Sequence, residues 1–287
     1  MIDQGPVALY DSLARFQWWR RALTRNAPGS GLEMRKRLTP SMTDGPLDNG
    51  SSLDQWLINQ AANPTRDRIL DLGCGFGASL LRWMPKQTVT DNGHAFGVTP
   101  SAYQIRRARQ ISNQLGVGPR CTFLQQNLEA DLPSDLDVVL AIEALGHTQN
   151  LSLVLQNVRK SLRPGGTLIW LEDLLNHPAT DDVDVSTLAR DWSSPPLRDL
   201  ASIHSELNKA GLQVVLESDL TPQVPHRSLP QIERSCCAAN RWRRLLPLPF
   251  ARRIAQAFLG GFALERLYAR DLACYRLFVA TAPVTPE

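Results

Sequence analysis

The sequence lacks the features that mark several common protein classes. Its five cysteines (Cys74, Cys121, Cys236, Cys237 and Cys274) form no C-x-x-C pair. An odd, scattered set gives neither a disulfide framework nor zinc-ligand spacing, so reduced thiols are expected. No stretch reaches the roughly 18 consecutive apolar residues of a membrane span. The opening MIDQGPVALYDSL has no basic start followed by an apolar core, so no signal peptide is read there and a cytoplasmic protein is expected. The net charge of +3 is too small to argue for a nucleic-acid partner. The aspartate-rich magnesium motif of terpene synthases is absent. What remains is an ordinary globular composition, 43% hydrophobic and 21% charged, in a chain of 287 residues. That length suits one large domain or a core with a lid.

The most informative stretch is Ile69-Leu70-Asp71-Leu72-Gly73-Cys74-Gly75-Phe76-Gly77-Ala78-Ser79-Leu80. An apolar run ends in an acid, passes through a glycine-rich turn and enters a helical segment. A strand that reverses tightly into a helix needs positive φ or no Cβ, and glycine supplies both. The spacing is G-x-G-x-G. Leu80 stands where a dinucleotide fingerprint has its last glycine, and Asp71 also departs from that fingerprint.

Further along, apolar runs alternate with helical patterns. Strands are read at 67–72, 95–99, 121–124, 136–143, 167–172, 212–218 and 274–281. Helices are read at 53–62, 78–84, 151–162 and 197–210, with another starting at Pro100. Arg163-Pro164-Gly165-Gly166 reads as the turn that stops one helix. Residues 174–196 read as loop or short helix. The alternation predicts an α/β fold with a doubly wound, mostly parallel sheet. Residues 1–25 carry a helical pattern, and 26–52 are loop-like around a basic knot, Arg35-Lys36-Arg37. The 223–270 insertion is too long for a structureless loop; its pattern is helical with a break at Pro247-Leu248-Pro249.

ILDLGCGFG resembles the first motif of class I S-adenosylmethionine-dependent methyltransferases, and LRPGGTLIWLED resembles a late motif of the same family. The resemblance implies a seven-stranded Rossmann-like sheet whose final strand is antiparallel. It divides the chain into an N-terminal helical lid segment (1–62), a cofactor-binding core (63–222), a helical lid insertion (223–270) and a last strand with its tail (271–287). It implies S-adenosylmethionine as cofactor, S-adenosylhomocysteine as product and a small-molecule acceptor, with magnesium only where that acceptor is a diphosphate. Asp71, Gly73, Cys74, Gly75 and Gly77 match the loop under the methionine part of the cofactor, with Cys74 as a packing residue.

Strand two ends without the acid that many methyltransferases use on the ribose. Instead Gly97-Val98-Thr99-Pro100-Ser101-x-x-Gln104 resembles a segment of tocopherol-type, sterol-type and sugar O-methyltransferases, relatives of the cyclopropane-forming lipid enzymes. That match implies Thr99 and Gln104 on the ribose and methionine side; hydroxyls need acceptors and not charge. Asn127 stands at the family's adenine-binding Asp, where its amide oxygen can still accept, and Leu128 follows with its backbone N–H. Ile142 completes the implied cofactor set.

Glu143 and His147 follow strand four as E-x-x-x-H, a spacing similar to that in sterol, tocopherol and some sugar methyltransferases. Two catalytic roles fit: His147 taking a proton from a hydroxyl, or Glu143 stabilising a carbocation left after an alkene takes the methyl group. Purely structural roles, with Glu143 ordering its loop and His147 packing, also fit. The expected reaction is C-methylation of an isoprenoid or alkene acceptor, with O- or N-methylation of an aromatic or glycosidic molecule as the second reading. A non-catalytic cofactor-binding subunit is a third. In the insertion, Arg241, Arg243, Arg244, Arg252 and Arg253 lie among Trp and Phe. They fit a solvated helix face, a diphosphate grip or weak contact with an anionic membrane surface.

Overall fold

The computed structural model describes residues 7–9, 11–16, 38, 53–61, 67–84, 93–179, 181–245 and 249–284. Its strands are β1 (Arg68–Leu72), β2 (His94–Thr99), β3 (Cys121–Gln125), β4 (Leu136–Ile142), β5 (Leu162–Leu175), β6 (Gln213–Asp219) and β7 (Ala273–Thr281). They form one sheet in the order β3-β2-β1-β4-β5-β7-β6. The β1–β2, β1–β4, β2–β3 and β4–β5 pairs are parallel, and β7 runs antiparallel to both β5 and β6. This is the expected α/β architecture.

Helices cover both faces, which explains why the central strands are apolar at nearly every position. Successive residues enter opposite cores: Ile69, Val138 and Ile169 pack on one side, and Leu70, Val139 and Trp170 on the other. The helices are α1 (Leu53–Asn59), α2 (Ala78–Trp83), α3 (Ala102–Gln114), α4 (Leu151–Ser161), α5 (Val183–Trp192), α6 (Leu200–Lys209), α7 (Leu229–Leu245) and α8 (Pro249–Ala269). Residues 7–9 and 11–16 are also helical. None of the described helices is long and apolar enough to cross a membrane. The basic knot Arg35-Lys36-Arg37, Trp18, Trp19, Leu23 and Pro247-Leu248 lie outside the described residues.

The structure departs from the expected elements in three places. The Arg163–Gly166 turn is absorbed into β5 as a bulge. Leu162 pairs with Leu136 and Thr167 with Val138, so the intervening residues loop out of register. Gly165 takes φ +75°, and the bulge is held by Ala282 and by an Arg163–Asp137 ion pair at 2.9 Å. Secondly, β5 runs on to Leu175, because β7 pairs with it from Thr167 throughout. Thirdly, residues 183–192 are a full helix, capped by the Asp182 side chain and anchored by buried Val185 and Leu188. That helix receives α8. Arg266 Nε donates to Asp184 at 2.8 Å, Arg270 bridges Asp182 and Asp184, and Trp192 Nε1 donates to the Ala257 carbonyl at 3.0 Å.

Candidate active site

β1 delivers Asp71 to its carboxyl end, where the side chain is 5% exposed. Beyond Leu72, the N–H groups of Gly73 and Cys74 both donate to the Val98 carbonyl at 2.9 Å, which folds the turn against β2. Gly73 has φ +90°, and a Cβ there would sit 2.4 Å from the Ala144 Cβ, so no other residue fits without displacing the turn. Gly75 differs: at φ +54° its missing Cβ would meet nothing within 4 Å. It faces a cavity of about 900 Å³, near the upper end of the roughly 300–1,000 Å³ usual for small-molecule sites. The cavity lies beyond the carboxyl ends of the parallel strands, where ligands of open α/β sheets bind.

Eleven of the twelve residues expected from sequence line this one cavity. They are Asp71, Gly73, Cys74, Gly75, Thr99, Gln104, Asn127, Leu128, Ile142, Glu143 and His147. Gly77 does not; it caps α2 at φ +76° and packs on Phe123. Burial, aided by the nearby Asp71, pushes the Cys74 thiol well up, which disfavours a thiolate there, and Cys74 lies in the buried core cluster. The Thr99 hydroxyl donates to Gln104 Oε1 at 2.7 Å, and Ser101 caps α3 through the Gln104 N–H at 3.1 Å. Ser101 also bonds Asp11 of the N-terminal helical residues, which brings Val7, Leu9 and Leu13 over the cavity. Asn127 Oδ1 has a long, 3.4 Å contact from the Glu129 N–H, leaving acceptor capacity.

Glu143 carries the most unusual geometry. It follows β4 at φ +50°, a left-handed conformation that costs a non-glycine residue about 1 kcal/mol or more. Its N–H donates to the Leu171 carbonyl at 2.8 Å, and Oε1 accepts from the buried Tyr275 hydroxyl at 2.7 Å. Glu143 thus lines the cavity from a left-handed backbone. Glu172 and Asp173, side by side on β5, line the same wall. Glu172 Oε2 accepts from the Gly146 N–H at 2.9 Å, and Tyr268 donates to Asp173. Burial, with Asp173 and Glu143 close by, pushes the Glu172 carboxyl up to about 7.

His147 sits on the short turn Leu145–His147, its ring 6.0 Å from that of Trp192. This turn is held from three sides. Glu172 takes the Gly146 N–H, Glu129 takes the Gln149 and Asn150 N–H groups at 2.9 Å, and Arg198 donates to the Leu145 and Thr148 carbonyls at 3.2 and 2.6 Å. Sequence reasoning missed Glu129, Glu172, Asp173, Arg198, Tyr268 and Tyr275. Only Glu172 and Asp173 left a signal, as acids at the end of a buried strand.

Among the described residues, six carboxylates line the cavity: Asp71, Glu129, Glu143, Glu172, Asp173 and Glu265. The one arginine there, Arg227, is paired bidentately with Glu265 at 2.6 and 2.8 Å and lies 4.7 Å over the Phe262 ring. Arg241, Arg243, Arg244, Arg252 and Arg253 do not line the cavity. No three His, Cys, Asp or Glu side chains among the described residues are grouped to hold a metal.

Residues 70–168 match the model of a methyltransferase domain family. Among curated proteins, 24-methylenesterol C-methyltransferase 3 of Arabidopsis thaliana is 28% identical over 163 residues, covering 53% of this chain and 44% of that protein. The ubiquinone biosynthesis O-methyltransferase of Pseudomonas syringae pv. tomato is 25% identical over 169 residues, covering 59% and 62%. The chain thus spans about half the length of these relatives. Among solved structures, geranyl diphosphate C-methyltransferase from Streptomyces coelicolor A3(2), in complex with Mg2+, geranyl diphosphate and S-adenosyl-L-homocysteine, superposes with TM-score 0.65. It is 16% identical, with 96% of this chain and 98% of that chain covered. Residues 70–168 thus match a methyltransferase domain, set in a chain whose strand order and glycine turn agree with the fold of that solved structure.

Proposed function

We propose that the chain transfers a methyl group from S-adenosylmethionine to a carbon of a small, apolar, alkene-bearing acceptor. The carrying observation is Glu143, held at φ +50° by Leu171 and Tyr275 in a cavity lined with carboxylates. The residues present fit the cofactor. Gly75 leaves open space where a Cβ would intrude, Asp71 sits buried at the base of the turn, and the volume accommodates a nucleoside and a small acceptor together. When bound, the cofactor supplies an electrophilic methyl group on a sulfonium. On this reading Asp71 and the glycine turn hold its methionine end, Thr99 and Gln104 the ribose side, and Asn127 and Leu128 the adenine. Val7, Leu9 and Leu13 of the N-terminal helical residues, with Arg227 and α8 of the insertion, form the lid side of the cavity.

The chain's own part is alignment, exclusion of water and handling of charge. Fixing donor and acceptor in line is worth on the order of 7–11 kcal/mol. An alkene carbon that takes the methyl group, the broken bond's electron pair staying on the departing thioether, would leave positive charge on its neighbouring carbon. Glu143 would stabilise that charge and accept the proton whose loss restores the double bond. Among the described residues, Glu265 is neutralised by Arg227 and burial raises the Glu172 carboxyl, which leaves Asp71, Glu129, Glu143 and Asp173 as an acidic lining that favours a positive centre over an oxyanion. The diphosphate grip loses support for the same reason, since the five lid arginines stand outside the cavity.

O- or N-methylation is the second reading, favoured by His147 on the cavity wall beside Trp192. Release of S-adenosylhomocysteine, measured against alkenes and prenyl diphosphates and then against phenols, glycosides and amines, with and without magnesium, separates the two. Turnover on apolar alkenes, lost in Glu143→Gln, is expected. Turnover confined to hydroxyl or amine acceptors, abolished by His147→Ala and spared by Glu143→Gln, overturns the first reading. Bound cofactor without turnover on either panel favours a non-catalytic subunit.

A further inference from the structure

A second cavity among the described residues is an apolar groove of about 940 Å³ between α7, α8 and the N-terminal helical residues. Ala239, Trp242, Phe250, Ile254, Phe258 and Phe262 line it, and the last two also line the main cavity. Trp242, Phe250 and Phe258 are 61%, 42% and 49% exposed, an unusual concentration of large apolar side chains on one surface. The charge pattern around them is one-sided. Residues 234–264 contain six arginines and no aspartate or glutamate, in a chain whose net charge is only +3. Arg241 and Arg244 flank Trp242 on α7 and are exposed, as is Arg252 near the start of α8.

We propose that this surface docks on an anionic phospholipid bilayer, with Trp242 and Phe250 entering the headgroup region and the arginines holding the phosphates. Aromatic side chains backed by arginine, with no acid among them, suit the bilayer interface, where one end of the side chain is apolar and the other wet. A second copy of the chain suits it less. A two-fold interface sets a patch against itself, and here that would bring like charges together. The groove also extends the surface inward as an apolar recess, matched to acyl chains and not to a phosphodiester backbone. This docking does not depend on the proposed methyl transfer, and its test does not use activity.

The full chain is mixed with vesicles of phosphatidylcholine, alone or with phosphatidylglycerol, at low and high salt, and bound protein is sedimented. Partition onto the phosphatidylglycerol vesicles is expected, weakened by salt. It should be accompanied by a blue shift of tryptophan emission that Trp242→Phe removes. Replacing Arg241, Arg243 and Arg244 together by Ala should lower partition by about two orders of magnitude, roughly fivefold for each charge near the surface. The double variant Trp242→Ala, Phe250→Ala should weaken it with circular dichroism unchanged. Equal partition onto both vesicle types, no partition, or indifference to the arginines overturns the proposal. So does light scattering that shows a dimer dissociated by Trp242→Ala, or binding of a labelled single-stranded oligonucleotide through these arginines in place of vesicles.

Discussion

Glu172→Gln tests the electrostatics of the cavity without reference to any substrate. Glu172 is 4% exposed, and its carboxyl is pushed from 4.5 to about 7, chiefly by burial. A carboxyl raised in the folded state binds its proton there more tightly than in the unfolded chain. Below pH 4.5 both states hold the proton and the group does not affect stability. As pH rises through 4.5 towards 7 the unfolded chain releases its proton first, so stability falls. Above pH 7 the loss is complete, at about 3 kcal/mol, taking roughly 1.4 kcal/mol per tenfold difference in proton affinity. Gln keeps an oxygen to accept the Gly146 N–H and carries no charge. The variant should match the parent at pH 4.5 and exceed it at pH 8, by about 5 °C in Tm for a chain of this size. Urea titrations at 25 °C across pH 4.5–8 give the same comparison as free energy. A difference that does not change with pH, or a variant less stable at pH 8, would show that Glu172 ionises freely and refute the reasoning.

Two further substitutions address the turn and the grip on Glu143. Gly73→Ala should cost on the order of 3 kcal/mol in urea unfolding, combining strain at φ +90° with the 2.4 Å approach to Ala144. Adding Ala144→Gly should recover the clash and leave the conformational part, so a full rescue would show that φ is not limiting. Tyr275→Phe removes the 2.7 Å donor to Glu143, and a hydrogen bond to a charged group is worth about 1.5–3 kcal/mol. Turnover should therefore fall by about tenfold or more with calorimetric affinity for S-adenosylmethionine unchanged; a fall in affinity alone would place Glu143 at the cofactor.

The glycine turn and its strand were legible because local chemistry dictates them: an apolar run, an acid and three glycines leave few backbone paths. The same holds for the sheet, whose buried parallel strands read as continuous apolar runs, and for the helical character of the insertion seen in α7 and α8. β5 was read too short because its length is set by β7, a partner about a hundred residues away, and no local signal marks where that pairing ends. The Arg163–Gly166 bulge escaped for the same reason, since its register depends on Leu136 and Ala282.

Glu143 and His147 were found by spacing, but what controls them was not. Tyr275 lies 132 residues from Glu143, and Arg198 reaches the turn of His147 from the start of another helix. A tyrosine in an apolar strand reads as core until the sheet order brings β7 beside β5. That geometry changes the chemical reading. Judged by the insertion alone, the arginines fitted a solvated helix face first, with a diphosphate grip or an anionic membrane surface as alternatives. Once folded, they stand outside a cavity whose charged lining, among the described residues, is mostly acidic, a sign that suits the proposed acceptor, which gains positive charge as it is methylated. The two charge patterns therefore face different surroundings: an acidic wall around the proposed reacting centre, and a basic, aromatic exterior at the proposed bilayer contact.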